Sequence, residues 1–188
     1  MQALDILRQS VIDAPVVMKG EYAYFVHPLT DGVPRQSARL LEATRDLVQE
    51  RIDWDEVDVI LGIEAMGLPL SAALSLSTGK PMVVVRKRAY GLPGEAAIDQ
   101  STGYSKGTLH INDIAAGERV LVVDDVVSTG GTLEPILSTL EAIGATLAGV
   151  FIIFEKGEGM NRLRKTRGWK LDSLVRLEMK NNKVALLE

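Results

Sequence analysis

Residues 120–132 read Val-Leu-Val-Val-Asp-Asp-Val-Val-Ser-Thr-Gly-Gly-Thr. The unbroken apolar run 120–123 suits a strand buried on both faces of a sheet. It is expected to end at two adjacent carboxylates, Asp124 and Asp125. Ser128, Thr129, Gly130, Gly131 and Thr132 follow, and a helical pattern opens at Leu133. Glycines let backbone N–H groups approach an anion, and a helix start adds the positive end of its dipole. One loop therefore offers a phosphate cradle with a pair of acids beside it. A bare phosphate repels such acids. A phosphorylated sugar suits them, because carboxylates accept hydrogen bonds from vicinal hydroxyls. An ordinary N-cap at Ser128 or Thr129 accounts for the hydroxyls. It does not account for two like charges at the end of an apolar strand, where desolvation costs several kcal/mol per ion.

Working outward, strand and helix patterns alternate. Leu4, Ile6, Leu7, Val11 and Ile12 suggest a short amphipathic helix, and residues 15–26 one or two short strands. Residues 34–50 predict a helix with Pro34 in its first turn and Leu40, Leu41, Leu47 and Val48 on one face. Strands are expected at 57–61 and 81–85, and a helix at 67–76 between them. Residues 108–111 predict part of a protruding hairpin. A helix over 132–143 is closed by Gly144. Then come a strand at 148–154, a basic helix at 159–167 and a final core strand at 174–177. The alternation argues for a single α/β domain, 1–188, with a mostly parallel twisted sheet covered by helices on both faces. In such sheets ligands sit at the carboxyl ends of the strands, where every segment of chemical character falls.

At 188 residues, with 46% hydrophobic and 24% charged residues, the chain has globular proportions and length for one core. A net charge of −4 gives no general pull toward nucleic acid or a membrane surface. No apolar stretch reaches the roughly 20 residues of a spanning helix. The N-terminus, Met-Gln-Ala-Leu-Asp-Ile-Leu-Arg, does not read as a secretory signal, and the expected setting is the cytoplasm. The absence of cysteine excludes disulfides and thiol catalysis, and two histidines are too few for a usual zinc site.

The 120–132 segment resembles the phosphoribosyl-pyrophosphate (PRPP) signature of type I phosphoribosyltransferases. The resemblance implies that Asp124 and Asp125 hold the ribose 2′ and 3′ hydroxyls, directly or through the waters of a Mg²⁺ ion bound with PRPP. It also implies that Val126 to Thr132, with Ser128, Thr129, Gly130 and Gly131 at the turn, hold the 5′-phosphate, Val127 completing the motif. Ile63-Glu64-Ala65-Met66-Gly67 resembles the pyrophosphate loop of the adenine and xanthine enzymes, which carry a Glu-Ala pair there and can hold a non-proline cis peptide. Taken alone, this segment reads equally well as a plain strand-to-helix connection. Arg86 and Lys87 match an Arg-Lys pair that contacts pyrophosphate, while a solvated basic rim is the bland reading. Residues 91–107, glycine-rich and without clear pattern, look like the mobile loop that closes over the reacting sugar, with Tyr104 as its tyrosine. Glu155-Lys156 resembles the xanthine enzymes, where the lysine faces the base. An ammonium donates and cannot accept, which suits a 6-oxo purine over the amino group of adenine. Phe25, in a hood over residues 1–33, is placed to stack on the base, although a buried core phenylalanine would look the same.

The resemblance covers residues 57–177 well and the first 50 loosely. Two acids of related enzymes are missing: Gly103 stands where adenine-type enzymes carry a glutamate, and Ser128 where vertebrate-type hypoxanthine-guanine enzymes carry an aspartate. The mixture is most similar to the archaeal hypoxanthine/guanine phosphoribosyltransferases. It implies transfer of a phosphoribosyl group from PRPP to hypoxanthine or guanine, with Mg²⁺, by a homodimer. Adenine and, after it, xanthine are the rival bases. A regulator using the pocket as a PRPP sensor is disfavoured, because strand patterns begin by about residue 16 and leave no room for a DNA-binding domain ahead. A dinucleotide-binding domain fails because no G-x-G-x-x-G follows the first buried strand.

Overall fold

The computed structural model describes residues 2–20, 22–101 and 106–187. Helix α1 (Ala3–Ile12) leads into a hairpin of β1 (Val16–Lys19) and β2 (Tyr22–Phe25). A one-turn helix, α2 (Pro28–Asp31), was not foreseen; α3 (Ala38–Gln49) follows it. Pro34 does not open α3. Ser37 does, its Oγ accepting from Leu40 N at 3.2 Å and satisfying a donor that the helix start leaves orphaned. The Val33–Pro34 peptide is cis.

After α3 come β3 (Val59–Ile63), α4 (Gly67–Thr78) and β4 (Met82–Val85). Next is an antiparallel hairpin of β5 (Ala96–Ser101) and β6 (Lys106–Ile111). Six of the residues read as patternless are thus the strand β5, whose one buried apolar position, Ile98, is too little to show as alternation. The chain continues through β7 (Arg119–Val127), α5 (Leu133–Ile143), β8 (Thr146–Lys156), α6 (Gly159–Arg167), β9 (Leu171–Lys180) and β10 (Lys183–Leu187). The last strand, antiparallel to β9, was also not foreseen.

The main sheet has six strands in the order β10-β9-β8-β7-β3-β4, parallel except for β10. Alternation along β7 sends Val120 and Val122 into one core with α5 and the hairpin, and Leu121 and Val123 into the other with α1, α3 and α4. All four are 0% exposed, as a doubly covered central strand requires. Close packing also asks for small residues: a Cβ on Gly62 of β3 would lie 2.5 Å from Ser71 Oγ of α4. Gly144 closes α5 at φ 88°, a left-handed conformation that glycine adopts without strain. Among the described residues no helix is long and apolar enough to cross a membrane.

The N-terminal segment is tied together by His27, which is 0% exposed. Its Nδ1 accepts from Leu29 N at 3.1 Å, capping α2, so the proton sits on Nε2, 3.0 Å from Ser10 Oγ of α1. Ser10 in turn donates to Leu7 O. Burial lowers the His27 pKa to about 4, outweighing the Asp31 carboxylate, which raises it. The unfolded chain therefore takes up this proton before the native state does. The stability lent by the neutral ring is full above about pH 6.5 and is lost as pH falls toward about 4. His27→Gln, which carries no titrating ring, is expected to flatten that slope. Urea denaturation near pH 7 and near pH 5 should show a pH-dependent loss about 2 kcal/mol smaller in the variant than in the wild type.

Candidate active site

Sheet order brings the carboxyl ends of β8, β7, β3 and β4 side by side. The segments that follow them therefore stand in one row: Lys156 on β8, the 124–132 stretch on β7, the 64–67 loop on β3, and Arg86 with Lys87 on β4. The acids do not follow the end of β7, as the sequence suggested, but lie within it. Asp124 pairs in register with Ile152 and Val126 with Phe154, so the ladder to β8 carries the strand past the apolar run. Asp124 is only 7% exposed.

Both carboxyls are pushed up from the usual range. For Asp124 the cause is burial first and the neighbouring Asp125 charge second. Burial raises Asp125 to about 6, with the Asp31 charge of the hood adding to it and hydrogen bonds opposing it. With Asp124 buried and Asp125 half-buried, the pair is under-solvated and is relieved by hydrogen-bond donors or a cation.

Beyond β7 the turn is shaped from behind. Gly130 has φ 82°, and its carbonyl takes Glu134 N at 2.9 Å to start α5. Neither Ser128 nor Thr129 caps that helix. The cap position is Thr132, whose hydroxyl makes no cap but donates to Gln100 Oε1 of β5 at 3.1 Å. Helix α6 braces the turn: Gly159 N donates to Ser128 O at 2.9 Å, and Arg162 donates to Thr129 O at 3.2 Å and to Glu134 at 2.9 Å. Gly159 is the residue that sequence reasoning missed. A Cβ there would overlap the Ser128 carbonyl oxygen and stand 2.6 Å from Thr129 C. A glycine opening a helix carries no signal of that contact, because the partner is thirty residues away in sequence.

The 64–67 loop approaches β7 in the same manner. A Cβ on Gly67 would lie 2.8 Å from Val123 O and 3.1 Å from Asp124 Oδ1. The Glu64–Ala65 peptide is cis. The Glu64 carboxylate is turned to the next strand, 3.1 Å from Arg86 Nε and 3.1 Å from Lys87 N. What the loop presents outward is therefore its backbone rather than the glutamate side chain.

At the end of β8, Glu155 is 2% exposed and doubly bridged by Arg164 at 3.0 and 2.9 Å, with Ser173 donating at 2.9 Å. These donors hold its pKa below the ordinary value against the opposing effect of burial. The strand end that carries Lys156 is thereby fixed. Phe25 requires correction. It is 5% exposed and packs edge-on against Phe154, centroids 6.0 Å apart, so the ring serves the core and offers no open face to a base. Tyr104 lies outside the described residues.

Comparison with known proteins agrees with this geometry. Residues 35–182 match the family model of the phosphoribosyl transferase domain. A hypoxanthine/guanine phosphoribosyltransferase of Methanohalophilus mahii is 49% identical over 98% of this chain and 96% of its own. The Ferroglobus placidus protein of the same name is 48% identical over 98% of each. Among solved structures, adenine phosphoribosyltransferase from Thermoanaerobacter pseudethanolicus superposes with TM-score 0.75 at 21% identity, covering 90% of this chain and 99% of that one. The Rhodothermus marinus enzyme gives 0.74 at 24% identity, covering 93% and 98%. At that identity they speak for the fold alone. With an acid pair, a glycine-braced turn and a neighbouring loop on one sheet edge, and relatives matched almost end to end, the chain belongs to the phosphoribosyltransferase family.

Proposed function

We propose that this enzyme serves purine salvage by transferring the phosphoribosyl group of PRPP to hypoxanthine or guanine, giving IMP or GMP and pyrophosphate. The observation that carries the reading is the adjacent pair of buried Asp124 and half-buried Asp125 beside the 128–132 turn. The preferred bases are supported by the names of relatives at 42–49% identity and by the donor-only ammonium of Lys156.

In this reading the backbone N–H groups of 128–132 and the start of α5 grip the 5′-phosphate. Asp124 and Asp125 accept from the ribose 2′ and 3′ hydroxyls, and their charge favours a sugar carbon that turns electron-poor. The 64–67 backbone, Arg86 and Lys87 hold pyrophosphate while its bond to C1′ breaks and the bond from the base N9 forms. Residues 57–177 form the catalytic core, and residues 1–33 the hood over the base. Tyr104, from the 91–107 segment, would cover the reacting sugar. A homodimer in the cytoplasm follows from the family resemblance and fits a chain without cysteine.

Mg²⁺ suits this donor set. Among the described residues no three His, Cys, Asp or Glu gather into a metal cage, yet two under-solvated carboxylates stand together. Hard oxygen pairs that share the ion with substrate phosphates are the usual way to bind it. When bound it would neutralise charge on the departing pyrophosphate.

Three measurements test the reading. Steady-state assay of hypoxanthine, guanine, xanthine and adenine with PRPP and Mg²⁺ should give kcat/KM at least about tenfold higher for the first two than for adenine. A strong adenine preference overturns the choice of base, and turnover undiminished by a chelator overturns the metal. Asp125→Asn should lower turnover by about a hundredfold or more while making the ligand-free protein more stable. Its folded pKa near 6 means that the native state holds a proton which the unfolded chain releases near 3.8, so the ionised group opposes folding at neutral pH. The gain, about 1–2 kcal/mol in urea at pH 7, should vanish as pH falls toward 4. Unchanged turnover, or a less stable variant, contradicts the assignment. Gly159→Ala should raise KM for PRPP about tenfold or more by displacing the turn, with the KM for base little changed.

A further inference from the structure

Side chains alternate along β5. Ala97 and Asp99 are exposed, and Asp99 accepts from the Thr108 hydroxyl at 3.3 Å. Ala96, Ile98 and Gln100 turn the other way, and Ile98, 2% exposed, enters the core that holds Leu133 and Ile136 of α5. Gln100 therefore points to the start of that helix from a position where a strand ordinarily carries an apolar residue. A half-buried amide there needs a polar partner, and it has one: Gln100 Oε1 takes the Thr132 hydroxyl at 3.1 Å. The root of the hairpin is fixed independently. Arg86 N donates to His110 O at 2.9 Å and His110 N to Arg86 O at 2.7 Å. The Glu95 carboxylate takes Tyr90 N, Gly91 N and Asn112 Nδ2 at 2.8, 3.2 and 3.0 Å. The hairpin is thus held at its base beside the pyrophosphate loop and again, far along β5, at the last residue of the turn.

We propose that Gln100 is a positioning residue for the 5′-phosphate end of the sugar substrate. By engaging the Thr132 hydroxyl it fixes the orientation of the residue that joins the turn to α5, and it ties the hairpin to that turn. This rests on reading 128–132 as the phosphate cradle. The effect falls on one subsite, because the hairpin root beside Arg86 is held by the His110 and Glu95 bonds, which do not involve Gln100.

Ribose 5-phosphate and inorganic pyrophosphate, titrated separately into the full-length protein by calorimetry, probe the two subsites. Gln100→Leu removes the acceptor at similar volume. Gln100→Glu keeps an acceptor for Thr132 and adds a negative charge beside the phosphate. The Leu variant should bind ribose 5-phosphate about five- to tenfold more weakly. The Glu variant should be weaker still at low salt, the excess shrinking as ionic strength rises. Pyrophosphate affinity and the KM for base should stay within about twofold in both, a split that general loosening of the fold would not produce. Equal ribose 5-phosphate affinity in all three proteins overturns the proposal, as does equal weakening of both probes. Wild-type protein that takes up no ribose 5-phosphate overturns the cradle itself, and the part given to Gln100 with it.

Discussion

Two like charges held at the dry end of the central strand are the constraint around which this molecule is arranged. Asp124 and Asp125 do not help the polypeptide fold; burial raises both carboxyls above their ordinary range, with the Asp125 charge adding to it at Asp124 and the Asp31 charge at Asp125. The sheet tolerates them because β7 is anchored elsewhere. The apolar run 120–123 is wholly buried, and the first residue of the strand, Arg119, clasps Asp58 through three hydrogen bonds of 2.6 to 3.0 Å at the start of β3. Local cost at the site is supported by packing away from it, a common arrangement where a protein must present an unsatisfied group to a ligand.

Around the pair, distance is controlled by what is absent. Gly67 and Gly159 lack the one atom that would strike the backbone of β7 or of the turn beyond it. Helix α4 can therefore start against β7 itself, and α6 against the turn beyond it, where Gly159 N is taken up by Ser128 O. Polar side chains then lock the approach: Arg162 on the turn, Glu64 between neighbouring loops, and Glu155 under the strand end that bears Lys156. The 128–132 turn and Lys156 consequently stand on different strands.

How much of this was legible follows from how far each interaction reaches along the chain. The 120–132 motif was readable because its strand, acids and turn are contiguous, and α6 was placed at 159–167 because its pattern is local. The extension of β7 through the acids was not readable, since it depends on pairing with β8 rather than on hydrophobicity. Strand β5 was passed over because one buried isoleucine does not make a period, and β10 because its apolar residues are half-exposed at the sheet edge. Pro34 misled because proline in a first turn is a sound rule, yet Ser37 satisfies the helix start more completely. Phe25 was ambiguous by nature, for an aromatic residue in a short strand looks the same whether it meets a ligand or Phe154.

The reciprocal pair of backbone bonds between Arg86 and His110 has an effect beyond catalysis. Strand β4 is the outer rail of the sheet on that flank, the kind of border where a stray chain could dock by annealing its own main chain. By engaging the N–H and C=O of Arg86, the residue after β4, with the neighbouring hairpin, the polypeptide seals the end of that border nearest the 64–67 loop against intermolecular strand addition.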